Sequence, residues 1–96
     1  MQYNAEWDPW KARTNLKKHG VGFELASSIF LDPRASTIFD DEHSEHEERW
    51  ITMGIAKNGT LLVLCHTFVE ETANSFRIRI FSARKATKAE IKSYKG

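Results

Sequence analysis

Residues 50–68, WITMGIAKNGTLLVLCHTF, decide the fold. Two apolar runs, Trp50 to Lys57 and Thr60 to Phe68, flank Asn58-Gly59, the dipeptide best suited to a two-residue hairpin turn because both central positions need positive φ. That turn pairs Lys57 with Thr60 and sets Ile55 opposite Leu62, Met53 opposite Leu64 and Ile51 opposite His66. The resulting face is mostly core. Cys65 falls on the other face beside Val63 and reads as packing.

Upstream of the hairpin the period is helical. Asp8 is placed to cap a first helix with Pro9 at its first position, where the missing N–H costs nothing. This helix runs to about His19, is closed by Gly20, and sets Lys17, Lys18 and His19 against the negative end of its dipole. A second helix is predicted from Phe23 to Leu31, with Phe23, Ala26 and Phe30 on one stripe and Leu25 and Ile29 on another, ended by Asp32-Pro33. A short strand around Ala35 to Phe39 follows. Trp7, Trp10 and Trp50 flank element starts and read as core.

Downstream, VEETANS reads as a polar loop. Phe76, Ile78 and Ile80 then alternate with Arg77 and Arg79, the pattern of a strand with one buried face. Thr87 and Glu90 have capping-box spacing and open a short helix over about 88–95. The predicted fold is a single α+β domain, 1–96. A small antiparallel sheet of about four strands packs against two N-terminal helices, and a short C-terminal helix follows.

A chain of 96 residues fits one core. Hydrophobic residues at 41% and charged residues at 28% are ordinary for a soluble domain, and no run approaches the ~18 apolar residues of a membrane span. MQYNAEWDPW lacks the order of a secretory signal, and a lone Cys65 suits a reducing compartment, so a cytoplasmic location is expected. The net charge of +1 is a cancellation: residues 40–49 hold six acids against Arg49, whereas residues 77–96 hold seven basic residues against Glu90. A basic end calls for an anionic partner. No Gly-rich phosphate loop, nucleophile elbow or paired CxxC occurs.

Three groups of residues could act chemically. Arg77 and Arg79 project from one strand face, and Arg84 and Lys85 sit in the predicted turn before the capped helix, near N–H groups that attract phosphate. Guanidinium forks match phosphate oxygens, and Tyr94 could stack on a base or exchange a proton. The alternative is a solvated strand face with a charged terminal helix. His43 and His46 among carboxylates could bind a divalent metal or simply decorate a solvated loop, and His43 alone could move protons. His66 is either a satisfied rim histidine or a general acid or base.

Taken together, WDPWKARTNLKKHGVGFELASSIFLDP, DDEHSEHEERWITMGIAKNGTLLVLCHT and RIRIFSARKATKAEIKSY resemble the BrnT family of type II toxins. The likeness spans nearly the whole chain, with three blocks in the family's order and spacing. It implies a RelE-like ribonuclease fold and RNA cleavage that arrests translation. It also implies a ribbon-helix-helix antitoxin partner, a BrnA-like protein, through which alone the toxin reaches operator DNA to repress its operon. The closing motif falls on Arg79, Ser82, Ala83, Arg84, Lys85, Ala86, Thr87, Glu90 and Tyr94. Thr87 and Glu90 are explained as a cap, whereas Arg79, Arg84 and Lys85 have no packing role in this reading. The middle block matches His43, Glu48 and Arg49, the last two forming either a salt bridge or part of the site. Phe81 stands where the family usually has isoleucine, a change expected to affect packing but not chemistry.

The scheme this implies needs no metal and no cofactor, because the RNA 2′-hydroxyl attacks the adjacent phosphorus. Arg79 and Arg84 hold the phosphate, Lys85 and Arg77 support the backbone, and His43, His66 or Tyr94 transfers protons. The competing readings are a non-catalytic interaction module with a basic docking face and a regulator that binds nucleic acid directly.

Overall fold

The computed structural model describes residues 2–96. Its strands are β1 (Gln2–Glu6), β2 (Ser36–Phe39), β3 (Trp50–Ile55), β4 (Leu61–His66), β5 (Val69–Thr72) and β6 (Ser75–Lys85), and its helices α1 (Pro9–His19), α2 (Phe23–Ser27) and α3 (Lys88–Lys95). They form a six-stranded sheet in the order β1-β6-β4-β3-β2, with β5 also paired to β6. The sheet is mixed, not antiparallel with four strands, because β1 runs parallel to β6. Neither β1 nor β5 was legible locally. VEET is exposed at every position, so backbone pairing with β6 makes it a strand, while Tyr3 of β1 stacks on Phe30 and Phe76 at 5.6 and 5.8 Å.

The central hairpin is offset by one residue from the expected register. The Gly59 N–H donates to the Ala56 carbonyl and the Ala56 N–H to the Thr60 carbonyl, and Gly59 alone in this turn is left-handed, at φ 87°. The turn therefore spans three residues instead of two, ending in a left-handed glycine. Ile55 pairs with Leu61, Met53 with Val63 and Ile51 with Cys65. A one-residue slip exchanges faces. Thr52, Gly54 and Ala56, not Ile51, Met53 and Ile55, now join Leu62, Leu64 and His66 beneath the helices. A side chain at Gly54 would bring its Cβ to 3.2 Å from the Cβ atoms of Ile29 and Ala35 and from the Ile29 carbonyl. Gly54→Val is therefore expected to cost about 1–3 kcal/mol through overpacking, read as a lower urea midpoint.

Val21, Phe23, Ala26 and Ile29 close the core over Leu62, Leu64, Ile78, Ile80 and Ala83. The predicted second helix breaks after Ser27 into a 3-10 turn, Ser28–Leu31. Here Ser27 and Ser28 hydroxyls donate back to the carbonyls of Glu24 and Leu25, competing with regular helix bonds. Trp10 is 68% exposed and is not core. Trp7 does pack, edge-on to Phe23 at 6.0 Å.

Strand β6 is the spine of the molecule. β1 and β5 both pair with its first residues and so lie on opposite edges, while β4 continues along the β5 edge and pairs with residues 80–85. Arg84 and Lys85 are strand residues, not turn residues. Cys65 pairs with Ser82 and His66 with Ile80, so Phe81 is an extra residue, a bulge. On the edge that β1 leaves free, Asn15 of α1 replaces a strand: its amide donates to the Ala83 carbonyl at 2.8 Å and accepts from the Ala83 N–H at 3.1 Å. A further bond to the Val21 carbonyl, 3.0 Å, fixes the end of α1. This hydrogen bonding holds α1 along the β6 edge, with Ala12 against the core and Lys11 and Lys18 bordering the sheet's outer face, opposite the core.

Candidate active site

That outer face is an open cleft of about 660 Å³. Ile51, Cys65, Phe81, Ser82 and Arg84 floor it; Lys11, Lys18 and His19 of α1 form one wall, and Asp40, His43 and Arg49 of the acidic loop form the other.

The loop is shaped by its own polar side chains. At its neck the Asp40 N–H donates to the Arg49 carbonyl at 2.8 Å, the Ser44 hydroxyl donates to the Asp40 carbonyl at 2.6 Å, and the same hydroxyl accepts from the Arg49 N–H at 3.0 Å. Asp40 is only 8% exposed, and its Oδ2 lies 2.9 Å from His43 Nδ1. With the proton placed on Nδ1, the carboxylate fixes the ring and leaves Nε2 as the free basic atom. The His43 side chain is 61% exposed, so the ring is accessible. His46 is exposed, and among the described residues no three His, Cys, Asp or Glu side chains converge as a metal-binding group.

Cations gather around the bulge. Arg49 Cζ, Lys11 Nζ and Arg79 Cζ lie 4.2, 4.8 and 5.0 Å from the centre of the Phe81 ring. Arg79 Nη2 also donates to both Glu47 carboxylate oxygens, at 2.7 and 2.8 Å. Among the described residues Lys11 and Arg49 form no ion pair, so Glu48 does not neutralise Arg49. Burial pushes the Cys65 thiol up, with Asp40 adding to the shift and Arg49 and Lys11 opposing it, which places these charges around one floor residue.

The arginines predicted from the strand pattern are less available than expected. Arg77 pairs with Glu71 at 2.5 Å. Arg84 makes a two-pronged pair with Glu90, 2.7 and 3.0 Å, and therefore has a structural role joining β6 to α3. Lys85 is exposed at the strand end and does not line the cleft. The Arg84 bonds and the Thr87 N–H hold the Glu90 carboxyl down at about 2, below its ordinary 4.5. A depressed carboxyl stabilises the fold above its unfolded value and loses that contribution as pH falls from about 4.5 towards 2. The pair is partly solvated, so Glu90→Gln is expected to remove only ~1 kcal/mol at neutral pH and to flatten the acid limb of urea-denaturation stability.

Two expected proton carriers lie elsewhere. His66 is fully buried, with Nε2 2.6 Å from the Thr52 hydroxyl and Nδ1 2.8 Å from the Thr67 carbonyl, and burial lowers its pKa. It is a neutral core histidine without a face open to RNA. The Tyr94 hydroxyl donates to Asp32 at 2.5 Å, a bond that raises its pKa, while Arg34 stacks on its ring and donates to its carbonyl. Tyr94 clasps α3 to the turn after the 3-10 segment. The structure thus brings His43, Arg79 and Arg84 towards one region and adds Lys11, Lys18, His19 and Arg49. The sequence signal for the α1 contribution was the spacing of Lys11, Asn15 and Lys18, which places them on one helical face.

The family described as ribonuclease toxin, BrnT, of type II toxin–antitoxin system matches residues 7–90. The crystal structure of the Brucella abortus ribonuclease toxin, BrnT, matches with a TM-score of 0.57 and 19% identity, covering 92% of this chain and 100% of that chain. At that identity the structural likeness establishes the fold. No curated protein sequence matches.

Proposed function

The chain belongs to the BrnT family of type II toxin–antitoxin ribonuclease toxins, and from that premise we propose that its outer-face cleft cuts RNA using only the chain's own side chains. The observation that carries this reading is the Asp40–His43 pair facing a cleft whose walls also supply Arg49 and Lys11. His43 Nε2 takes the proton from the RNA 2′-hydroxyl, whose oxygen attacks the adjacent phosphorus. The 5′-oxygen leaves, taking a proton from His19 on the opposite wall. Asp40 holds the His43 ring in orientation through the contact at Nδ1. Lys11 and Arg49 meet the charge that builds on the phosphorane oxygens. Arg84 borders the cleft, and substrate phosphate competes with Glu47 for Arg79.

In the cell this cleavage inhibits translation in a RelE-like manner. A ribbon-helix-helix antitoxin neutralises the toxin and brings it to operator DNA. Among the described residues no helix is long and apolar enough to cross a membrane. The purified protein is expected to cut RNA, free or on translating ribosomes, in the presence of EDTA, and its induction to arrest growth until a ribbon-helix-helix protein encoded beside it is co-expressed. RNA left intact in both settings, or cutting that stops with EDTA, contradicts the proposal.

A further inference from the structure

We infer that Phe81 is a positioning residue that gathers Lys11, Arg49 and Arg79 into one phosphate-binding cluster. Strand alternation puts Phe81 on the same outer face as Arg79, with Ile78 and Ile80 buried on the other, and the bulge between the Cys65–Ser82 and His66–Ile80 pairs resets the alternation so that Ala83 turns inward and Arg84 joins that outer face. Three cations from three separate elements then lie within 5.0 Å of one ring centre: Lys11 from α1, Arg49 from the loop neck and Arg79 from β6 itself.

Like charges this close repel, and among the described residues only Arg79 of the three has a carboxylate partner, Glu47. The electron-rich ring faces offset part of that repulsion. An aliphatic side chain of similar bulk fills the space without attracting a cation. The remaining excess positive charge is balanced by an anion, and the inference rests on the RNA reading in taking that anion to be a backbone phosphate. With cations already over the ring, Phe81 does not serve as a stacking platform for a base. The cluster therefore reads backbone charge and contributes no base preference of its own.

The test uses a short single-stranded oligodeoxynucleotide, which lacks the 2′-hydroxyl and so reports binding without cleavage. Its affinity is measured against salt for wild type, Phe81→Ile and Phe81→Tyr, each checked for folding by thermal melting. Phe81→Ile is expected to weaken binding roughly five- to ten-fold at low salt, while Phe81→Tyr stays near wild type. The salt slope of Phe81→Ile should fall by about 0.7, one phosphate contact on a single strand. Should Phe81→Ile fail to fold, Phe81→Leu takes its place. Unchanged affinity and slope in the aliphatic variant, equal weakening by tyrosine, or no binding by wild type overturns the inference. RNA cleavage is assayed on the same proteins. Normal cleavage and binding in Phe81→Ile removes the Phe81 role but leaves the ribonuclease reading standing. Phe81-dependent binding without any cleavage does the reverse.

Discussion

His43→Ala is expected to lower the rate of RNA cleavage about 10²- to 10⁴-fold, the range for loss of a positioned general base, with little change in circular dichroism or melting temperature. The ring stands largely in solvent and its one bond is to Asp40, so removing it leaves no core cavity. Catalysis and stability should therefore separate at this residue. Single-turnover cleavage by wild type and variant is the check; an unchanged rate assigns proton transfer to another group. His66→Ala, in contrast, should be judged first by folding, because it opens a cavity in the core and strips the buried Thr52 hydroxyl of a partner.

The second large effect concerns stability. Asn15→Ala is expected to destabilise the protein by about 3 kcal/mol, because the Ala83 N–H and the Ala83 and Val21 carbonyls lose partners in a nearly dry site. Asn15 is 6% exposed, so water has little access to replace those bonds. For a domain of this size that is a fall of roughly 10–20 °C in melting temperature by calorimetry. The same change frees α1 from the β6 edge and loosens the wall bearing Lys11 and His19, so activity should fall below the melting point too. A shift of only a degree or two means that α1 is held by its apolar contacts instead.

What could be read from the sequence was what local chemistry decides. Asp8 does cap α1, its side chain accepting the Trp10 N–H at 2.9 Å, and Gly20 closes that helix at φ 70°. The reciprocal Thr87 and Glu90 bonds open α3 as expected. The hairpin lies where Asn58-Gly59 predicts it, but its register differs by one residue, since Asn58 does not take the left-handed conformation a two-residue turn requires. That single extra loop residue explains why Thr52 and Gly54, not Ile51 and Met53, face the helices. The pairing of β1 with β6 spans most of the chain and has no local signature.

The site shows the same division. Arginines alternating on β6 were visible, but their carboxylate partners were not: Glu47 and Glu71 come from segments read as solvated loops. Arg49 and Lys11 carry no local signal, because one closes an acidic run and the other sits inside a helix, and they meet only over the Phe81 ring. Tyr94 illustrates the opposite error. A tyrosine on a charged terminal helix reads as available, yet its hydroxyl is committed to Asp32.

The most direct measurement is the chemistry of the RNA ends produced by the purified protein in EDTA, with single 2′-deoxy substitutions placed along the substrate. The account predicts 2′,3′-cyclic phosphate and 5′-hydroxyl ends, loss of cutting wherever the 2′-hydroxyl before the cut is missing, and the same ends formed about 10²- to 10⁴-fold more slowly by His43→Ala. Cleavage that persists at a 2′-deoxy position, or that leaves 5′-phosphate ends, contradicts it.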